Sequence, residues 1–172
     1  MNHVVRNRIA GLLLAGVIFL VDQALKAWIV GGLHLREIQV IHILPIFNLT
    51  WTQNYGVSLG LFTAGSQEGR WALVAMTSAI AVFVFVWLLR ERRMADIAAL
   101  SMVLGGAAGN IRDRATLGYV IDYADLHFGQ FRPFLIFNLA DAAITIGVLI
   151  ILARSLLSRE KPDAAVETAP ES

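Results

Sequence analysis

Cysteine is absent from the 172-residue sequence. That absence excludes a disulfide framework, a thiolate zinc site, an iron–sulfur cluster and a cysteine nucleophile. Charge is scarce as well. Charged residues make up 16% of the chain against 57% hydrophobic, where a soluble domain is about a quarter charged. An ordinary cytosolic globule and a disordered chain are both ruled out. The formal net charge is +1, so the basic surplus of a nucleic-acid binder is missing. His3, His34, His42 and His127 fall into no HExxH or other ligand spacing, which argues against a zinc protease. No GxSxG elbow or Walker loop is present. Outside the C-terminal tail the only lysine is Lys26, so a Ser/Lys dyad would have to pair it with a residue such as Ser58.

What the chain does have is long apolar runs. Trp71–Leu89 holds no charge, Pro133–Ala153 holds only Asp141, and Ile97–Ile111 is charge-free and rich in small residues. Ile9–Val21 is apolar, and after Asp22 and Lys26 the apolar character continues to Leu35. These runs predict four membrane spans, at about 8–30, 70–89, 96–114 and 134–154. Arg6 and Arg8 ahead of the first run resemble the start of a secretory signal. The run continues past Lys26 without a small-x-small cleavage site, so an uncleaved span is expected.

Arginine placement sets the expected orientation. Arg6 and Arg8 precede span one; Arg90, Arg92 and Arg93 separate spans two and three; Arg154, Arg159 and Lys161 follow span four. With four spans all three clusters share one side, which is cytoplasmic by the positive-inside rule. Residues 161–172 read as a disordered cytoplasmic tail, leaving residues 1–160 as a single membrane-embedded domain. The opposite side receives residues 31–69 and 115–133. Within it Ile38 and Val40 alternate with Glu37 and Gln39, and Phe47, Leu49 and Trp51 alternate with Asn48, Thr50 and Thr52. This is strand patterning, broken at Pro45 and followed by Gly56, Gly60 and Gly65. A small outer sheet is expected over about 36–62.

Ionisable groups at membrane depth are expensive and usually functional. At about 1.5 Å per residue, Asp22 and Lys26 lie roughly 21 and 27 Å along span one from Arg8, and Asp141 lies about 20 Å from Arg154. Asn110, Asp113 and Arg114 end span three. The polar groups therefore gather toward the outer side. Asp22 and Lys26, spaced i, i+4, read as an internal ion pair that makes insertion tolerable. Ser101, Gly105 and Gly109 read as a close-packing stripe. Asn138, Asp141 and Thr145 share one helical face. A second carboxylate is available from Asp122 or Asp125, on the loop that returns into span four. Two adjacent carboxylates cannot both ionise, so they hold one shared proton. Such a pair can activate a water with its ionised member and protonate a carbonyl oxygen with the other; the alternative is that Asp141 is a lone, buried, protonated residue with a structural role.

Longer motifs add to this reading. GGAAGNIRDRATLGYVIDYADLHF (105–128), PFLIFNLADAAITIG (133–147), DQALK (22–26) and TQNYGVSLG (52–60) resemble, in order, the motifs of the bacterial lipoprotein signal peptidases, signal peptidase II. The resemblance covers roughly residues 8–155. It implies a mainly α, polytopic membrane protein: four transmembrane helices, a small extracytoplasmic β-cradle and cytoplasmic termini in the bacterial inner membrane. It further implies a metal-free aspartyl endopeptidase; no cofactor is expected, and a monomer is expected because four spans can hold a complete site. Such an enzyme cuts a diacylglyceryl-modified prolipoprotein before its lipidated cysteine. By the same resemblance Asp122 and Asp141 match the catalytic carboxylates. Asn138, Asn110 and Arg114 match residues that support the acids or hold substrate, and Asn54 and Gly56 match the substrate-facing cradle. Asp22 and Lys26 match the first motif, with a structural role. The cradle departs from the family's usual NxGxAFG at Ser58 and Leu59, and VIDYAD replaces the commoner VVDF. A small proton-coupled transporter using Asp141, and a non-catalytic adaptor whose cradle binds a partner, are the competing expectations. The transporter requires polar groups continuing to the cytoplasmic face; the adaptor would tolerate loss of both acids.

Overall fold

The computed structural model describes residues 2–56 and 66–158. Ser58, Leu59, Gly60, Gly65 and the tail at 161–172 lie outside the described residues. In order the chain forms α1 (His3–Gly31), a one-turn α2 (Leu35–Ile38), β1 (Val40–Leu44), β2 (Phe47–Asn54), α3 (Gln67–Arg90), α4 (Met94–Leu117), β3 (Val120–Leu126) and α5 (Leu139–Ser158). α1, α3, α4 and α5 are each long and apolar enough to cross a membrane.

α4 is the axis of the bundle and packs against α1, α3 and α5. Its share of small residues explains why. Between helices in lipid the hydrophobic driving force is weak, so close backbone approach does the work. A Cβ at Gly105 would stand 2.5 Å from the Ala15 carbonyl oxygen of α1. One at Gly106 would press into the Ala140 carbonyl of α5. Lower in the bundle, Ile97 and Leu100 pack on Val84 and Leu88 of α3. The other long helices leave large apolar side chains uncovered, among them Leu13, Leu20, Phe83, Leu149 and Leu156. Such stripes suit a hydrocarbon surround rather than water.

Polar contacts tie the bundle at one end. Arg8 Nε donates to the Glu91 carbonyl at 2.9 Å, and an Arg154 Nη donates to Asp96 at 3.0 Å. The start of α1, the α3–α4 turn and the end of α5 are therefore neighbours. At the far end sits an antiparallel sheet in the order β1-β2-β3. Gly118, with φ +90, ends α4 in the left-handed region and sends the chain directly into β3.

Three expectations are corrected. Residues 35–38 are a helical turn and not strand; Leu35 is fully buried there against Ile29 and Ile121, and the turn is bracketed by positive φ at His34 and Gln39. Residues 120–126 are a strand and not a loop. Six of its seven residues are buried, so no in-out alternation marks it. The last helix starts at Leu139 and not near 134, because Phe137 pairs in extended form with Ala124 across both backbone directions (2.8 and 3.1 Å).

Gly106→Ala should lower the thermal midpoint in detergent by the equivalent of about 1–3 kcal/mol, the usual range for overpacking. Gly16→Ala, where the new methyl meets nothing within 4 Å, should leave the midpoint unchanged or raised.

Candidate active site

The N-terminus of α5 is built by its own sequence. Asn138 precedes the first helical residue, and its Oδ1 accepts from the Asp141 backbone N–H at 2.9 Å. Asp141 Oδ2 in turn accepts from the Asn138 backbone N–H at 3.2 Å. This is a reciprocal capping box made from Asn and Asp. It seats the Asp141 carboxylate in the first turn, at the positive end of the helix dipole. Asp141 Oδ1 receives a second donor, Asn110 Nδ2 of α4, at 2.8 Å.

Asp122 arrives from β3. The pairing of Thr52 with Asp122 across the sheet brings β2 alongside, and Asn54 Nδ2 donates to Asp122 Oδ2 at 3.0 Å. The other oxygen, Oδ1, accepts from Asn138 Nδ2 at 2.6 Å. Asn138 thus touches both acids, through its amide nitrogen to Asp122 and through its cap to Asp141. It is itself fully buried, and Nδ2 also lies 3.2 Å from Asn110 Oδ1. Burial pushes the Asp122 carboxyl up to about 6, the neighbouring Asp141 charge adds to the push, and the Asn54 and Asn138 hydrogen bonds oppose it.

Beneath the acids lies a second buried network. Lys26 Nζ is 2.9 Å from Asp22 and 2.8 Å from Asp113, and donates to Asn110 Oδ1 at 3.3 Å. Asp22 Oδ1 accepts from the Ala140 backbone N–H of α5 at 3.2 Å, and Asp113 Oδ2 accepts from the Ile121 N–H of β3 at 3.4 Å. Asp22 and Lys26 therefore form more than an internal pair: they connect α1 to α4, α5 and β3. The i, i+4 spacing showed the pair but carried no sign of Asp113 or Asn110. Gln23, which lies within hydrogen-bond distance of both Asp22 and Asp113, had no signal beyond its place in DQALK.

The remaining candidates sit around this centre. Gly56, with φ +87, donates its N–H to Asn54 Oδ1 at 2.9 Å and so orients the amide that reaches Asp122. Arg114 makes no side-chain hydrogen bond to either acid. It lines a cavity of about 160 Å³ with Thr77, Asn110 and Ile144, and its buried Nε lacks a partner among the described residues. Asp125 lies two pairs along the strand from Asp122 and bonds Arg132 and Thr50 instead. Tyr123 was not anticipated. Its hydroxyl oxygen accepts from the Leu139 N–H at 3.2 Å, and burial raises its phenol pKa.

Two cavities open beside the acids. One of about 700 Å³ is lined by Thr52, Asn54, Gly56 and Asp122 on the sheet side and by Arg132–Ile136 opposite. The other, about 290 Å³ and more apolar, is lined by Asp141, Ala142, Thr145 and Ile146 of α5 with Phe134, Leu135 and Phe137. Among the described residues no group of three His, Cys, Asp or Glu is placed to hold a metal ion.

Lys26→Met would leave Asp22 and Asp113 buried without their cation. Breaking a buried pair this way costs about 3–5 kcal/mol, so the variant should yield little folded protein on size-exclusion chromatography. Asn138→Ala should also cost more than a missing cap alone, about 1 kcal/mol, because each buried partner that loses its hydrogen bond, Asp122 Oδ1 first, adds about 1–3 kcal/mol.

The family described as Signal peptidase (SPase) II matches residues 14–157. The lipoprotein signal peptidase of Rhizorhabdus wittichii is 51% identical over 154 residues, 90% of each chain. That of Sphingopyxis alaskensis is 50% identical over 155 residues, again 90% of each. Two solved structures, both described as a bacterial membrane enzyme, share the fold at 24% identity with TM-scores of 0.68 and 0.72. They cover 92% and 88% of this chain and 94% of their own. With the family matching most of its length and about half its residues shared with these relatives, the chain belongs to the signal peptidase II family and is a multi-pass bacterial membrane peptidase.

Proposed function

We propose that the protein removes the signal peptide of diacylglyceryl-modified prolipoproteins, cutting before the lipidated cysteine, with Asp122 and Asp141 as its catalytic pair. The observation that carries this reading is the sharing of one buried residue, Asn138, by both acids: its side-chain Nδ2 donates to Asp122 and its backbone N–H to the Asp141 carboxylate. An amide placed there holds two carboxylates together while neutralising neither.

Asp122 carries the shared proton, in keeping with its raised pKa. Asp141, with N–H donors on both oxygens at a helix N-terminus, acts as the base. It takes a proton from water as the water oxygen attacks the scissile carbonyl carbon, and Asp122 gives its proton to the carbonyl oxygen. A tetrahedral diol forms. As it collapses, Asp141 passes its proton to the leaving amine and one diol hydroxyl returns a proton to Asp122. The products are the signal-peptide carboxyl and the lipidated cysteine's amine, and the pair is restored. Asn54, Gly56, Asn110 and Arg114 support the acids and the bound peptide.

Membrane placement follows the same logic. Arg6, Arg8, Arg90, Arg92, Arg93 and Arg154 belong to the bundle end joined by the Arg8–Glu91 and Arg154–Asp96 contacts. The positive-inside rule makes that end cytoplasmic, so the sheet and acids face outward, and a monomer holds the whole site. There a substrate's acyl chains can remain in the bilayer, at about 0.8 kcal/mol per buried methylene. A transporter reading finds less support. Between the two ends, the buried polar side chain Ser101 is satisfied within its own helix by the Ile97 carbonyl at 2.6 Å.

Asp122→Asn and Asp141→Asn should each reduce cleavage of a lipidated precursor at least about a hundredfold, followed by gel shift. Substantial processing by either variant would remove the pair from the mechanism. The raised pKa of Asp122 means that folding disfavours its charged form, a penalty that grows as pH rises from the ordinary carboxylate range through about 6. The Asn variant, which carries no such charge, should therefore melt no lower than the parent at neutral pH despite its inactivity. For the same reason the singly protonated pair declines above about pH 6, so kcat should fall along an alkaline limb with that apparent pKa. A flat profile to pH 9 would contradict the assignment of the proton.

A further inference from the structure

The segment from Arg132 to Phe137 contributes walls to both cavities. Phe134 and Leu135 line the larger space beside Asp122 and the smaller space beside Asp141. Its position therefore sets the width of each. Yet the segment is poorly anchored by packing: Phe131, Phe134 and Leu135 are largely exposed, Leu135 by 90%. Besides the backbone bridge that pairs Phe131, just before the segment, with Phe128, two features hold it. At one end Phe137 pairs with Ala124 of β3. At the other, Arg132 reaches back to Asp125 of the same strand, Nε to Oδ1 at 3.0 Å and a second nitrogen to Oδ2 at 3.4 Å. Thr50 of β2 closes the arrangement by donating to Asp125 Oδ2 at 3.1 Å.

The two partners differ in setting. The Asp125 side chain is 2% exposed and the Arg132 side chain 53%. Burial alone would raise the Asp125 carboxyl, but the hydrogen bonds from Arg132 and Thr50 outweigh it and carry it below the usual carboxylate range. The pair is therefore ionised at neutral pH. An exposed ion pair contributes little to stability, but a forked guanidinium on a buried carboxylate fixes direction. It lies on the strand that carries Asp122, three residues away, and touches neither acid.

We propose that Asp125 and Arg132 are a positioning pair for substrate: they pin the Arg132–Phe137 segment to β3 and so hold the wall shared by the two cavities at the width the substrate needs. This rests on the peptidase reading above, but it assigns the pair to binding and not to the chemical step. Substrate affinity then depends on the fork, while the acids, fastened separately through Asn54, Asn110 and Asn138, keep their geometry when the fork is lost.

The test is steady-state cleavage of a synthetic peptide carrying a diacylglyceryl cysteine by the purified full chain. Arg132→Gln should raise KM about tenfold with kcat within about twofold, the signature of lost uniform binding. Arg132→Lys, which keeps the charge but not the fork, should fall between. The double variant Asp125→Asn/Arg132→Gln leaves no buried charge unpaired, and should fold with the parent's thermal midpoint yet show the same raised KM. A parental KM in the double variant, or a fall in kcat at constant KM, would overturn the proposal. If the parent itself fails to cleave the peptide, the reading of the acids falls instead. Fluorescence titration of the same peptide then decides the pair: weaker binding by the double variant supports it, and equal binding refutes it.

Discussion

The site depends on one buried amide. Asn138 caps α5 and, in doing so, fixes the carboxylate three residues on; with its side-chain nitrogen it fixes the carboxylate arriving from β3. A helix start and an acid pair are thus the same piece of structure. That economy explains the composition of FNLAD. A serine cap would satisfy the helix, but its one oxygen would have to serve both as cap and as donor, whereas the amide caps with Oδ1 and reaches Asp122 with a separate nitrogen. An aspartate cap would add a third negative charge in a space where two already compete.

Everything around this amide acts to keep it in place. α4 brings Asn110, and its glycines let α1 and α5 approach until Asp22 meets the α5 backbone and Lys26 meets Asn110. The cation of Lys26 is placed one residue away from the acids rather than against them. A direct ion pair would hold a carboxylate in its charged form and so remove the proton that the proposed mechanism shares between the acids. The intervening Asn110 passes on orientation without contact between charges. Close packing of small residues is therefore not only how the helices associate. It is also what brings α5's first turn, and Asp141 with it, onto α4.

Much of the architecture was legible because the chain segregates its charges. Four apolar runs with arginine clusters before the first, between the second and third and after the fourth leave few other arrangements, and the alternation at 47–52 marks β2. Asn138 and Asp141, three apart before an apolar run, were readable as neighbours, although Asn138 caps α5 and does not lie on its face. β3 was not legible: a strand buried on both faces that also carries two aspartates shows neither alternation nor a simple apolar run. The one-turn helix at 35–38 was hidden for a related reason, since Leu35 is buried by tertiary contacts and the local pattern fits a strand as well. Long-range partners were the least accessible. Nothing in the spacing of Asp125 and Arg132, or of Lys26 and Asp113, announces that these side chains meet, because the fold and not the local period brings them together.

The three side chains that grip the acids, Asn54, Asn110 and Asn138, are all carboxamides. Unlike histidine, lysine or a carboxylate, they neither gain nor lose charge across the range in which a cell lives. Whatever the acids do during turnover, their mounting keeps the same electrical character. On this architecture the two acids respond to the local acidity while the frame that holds them stays indifferent to it.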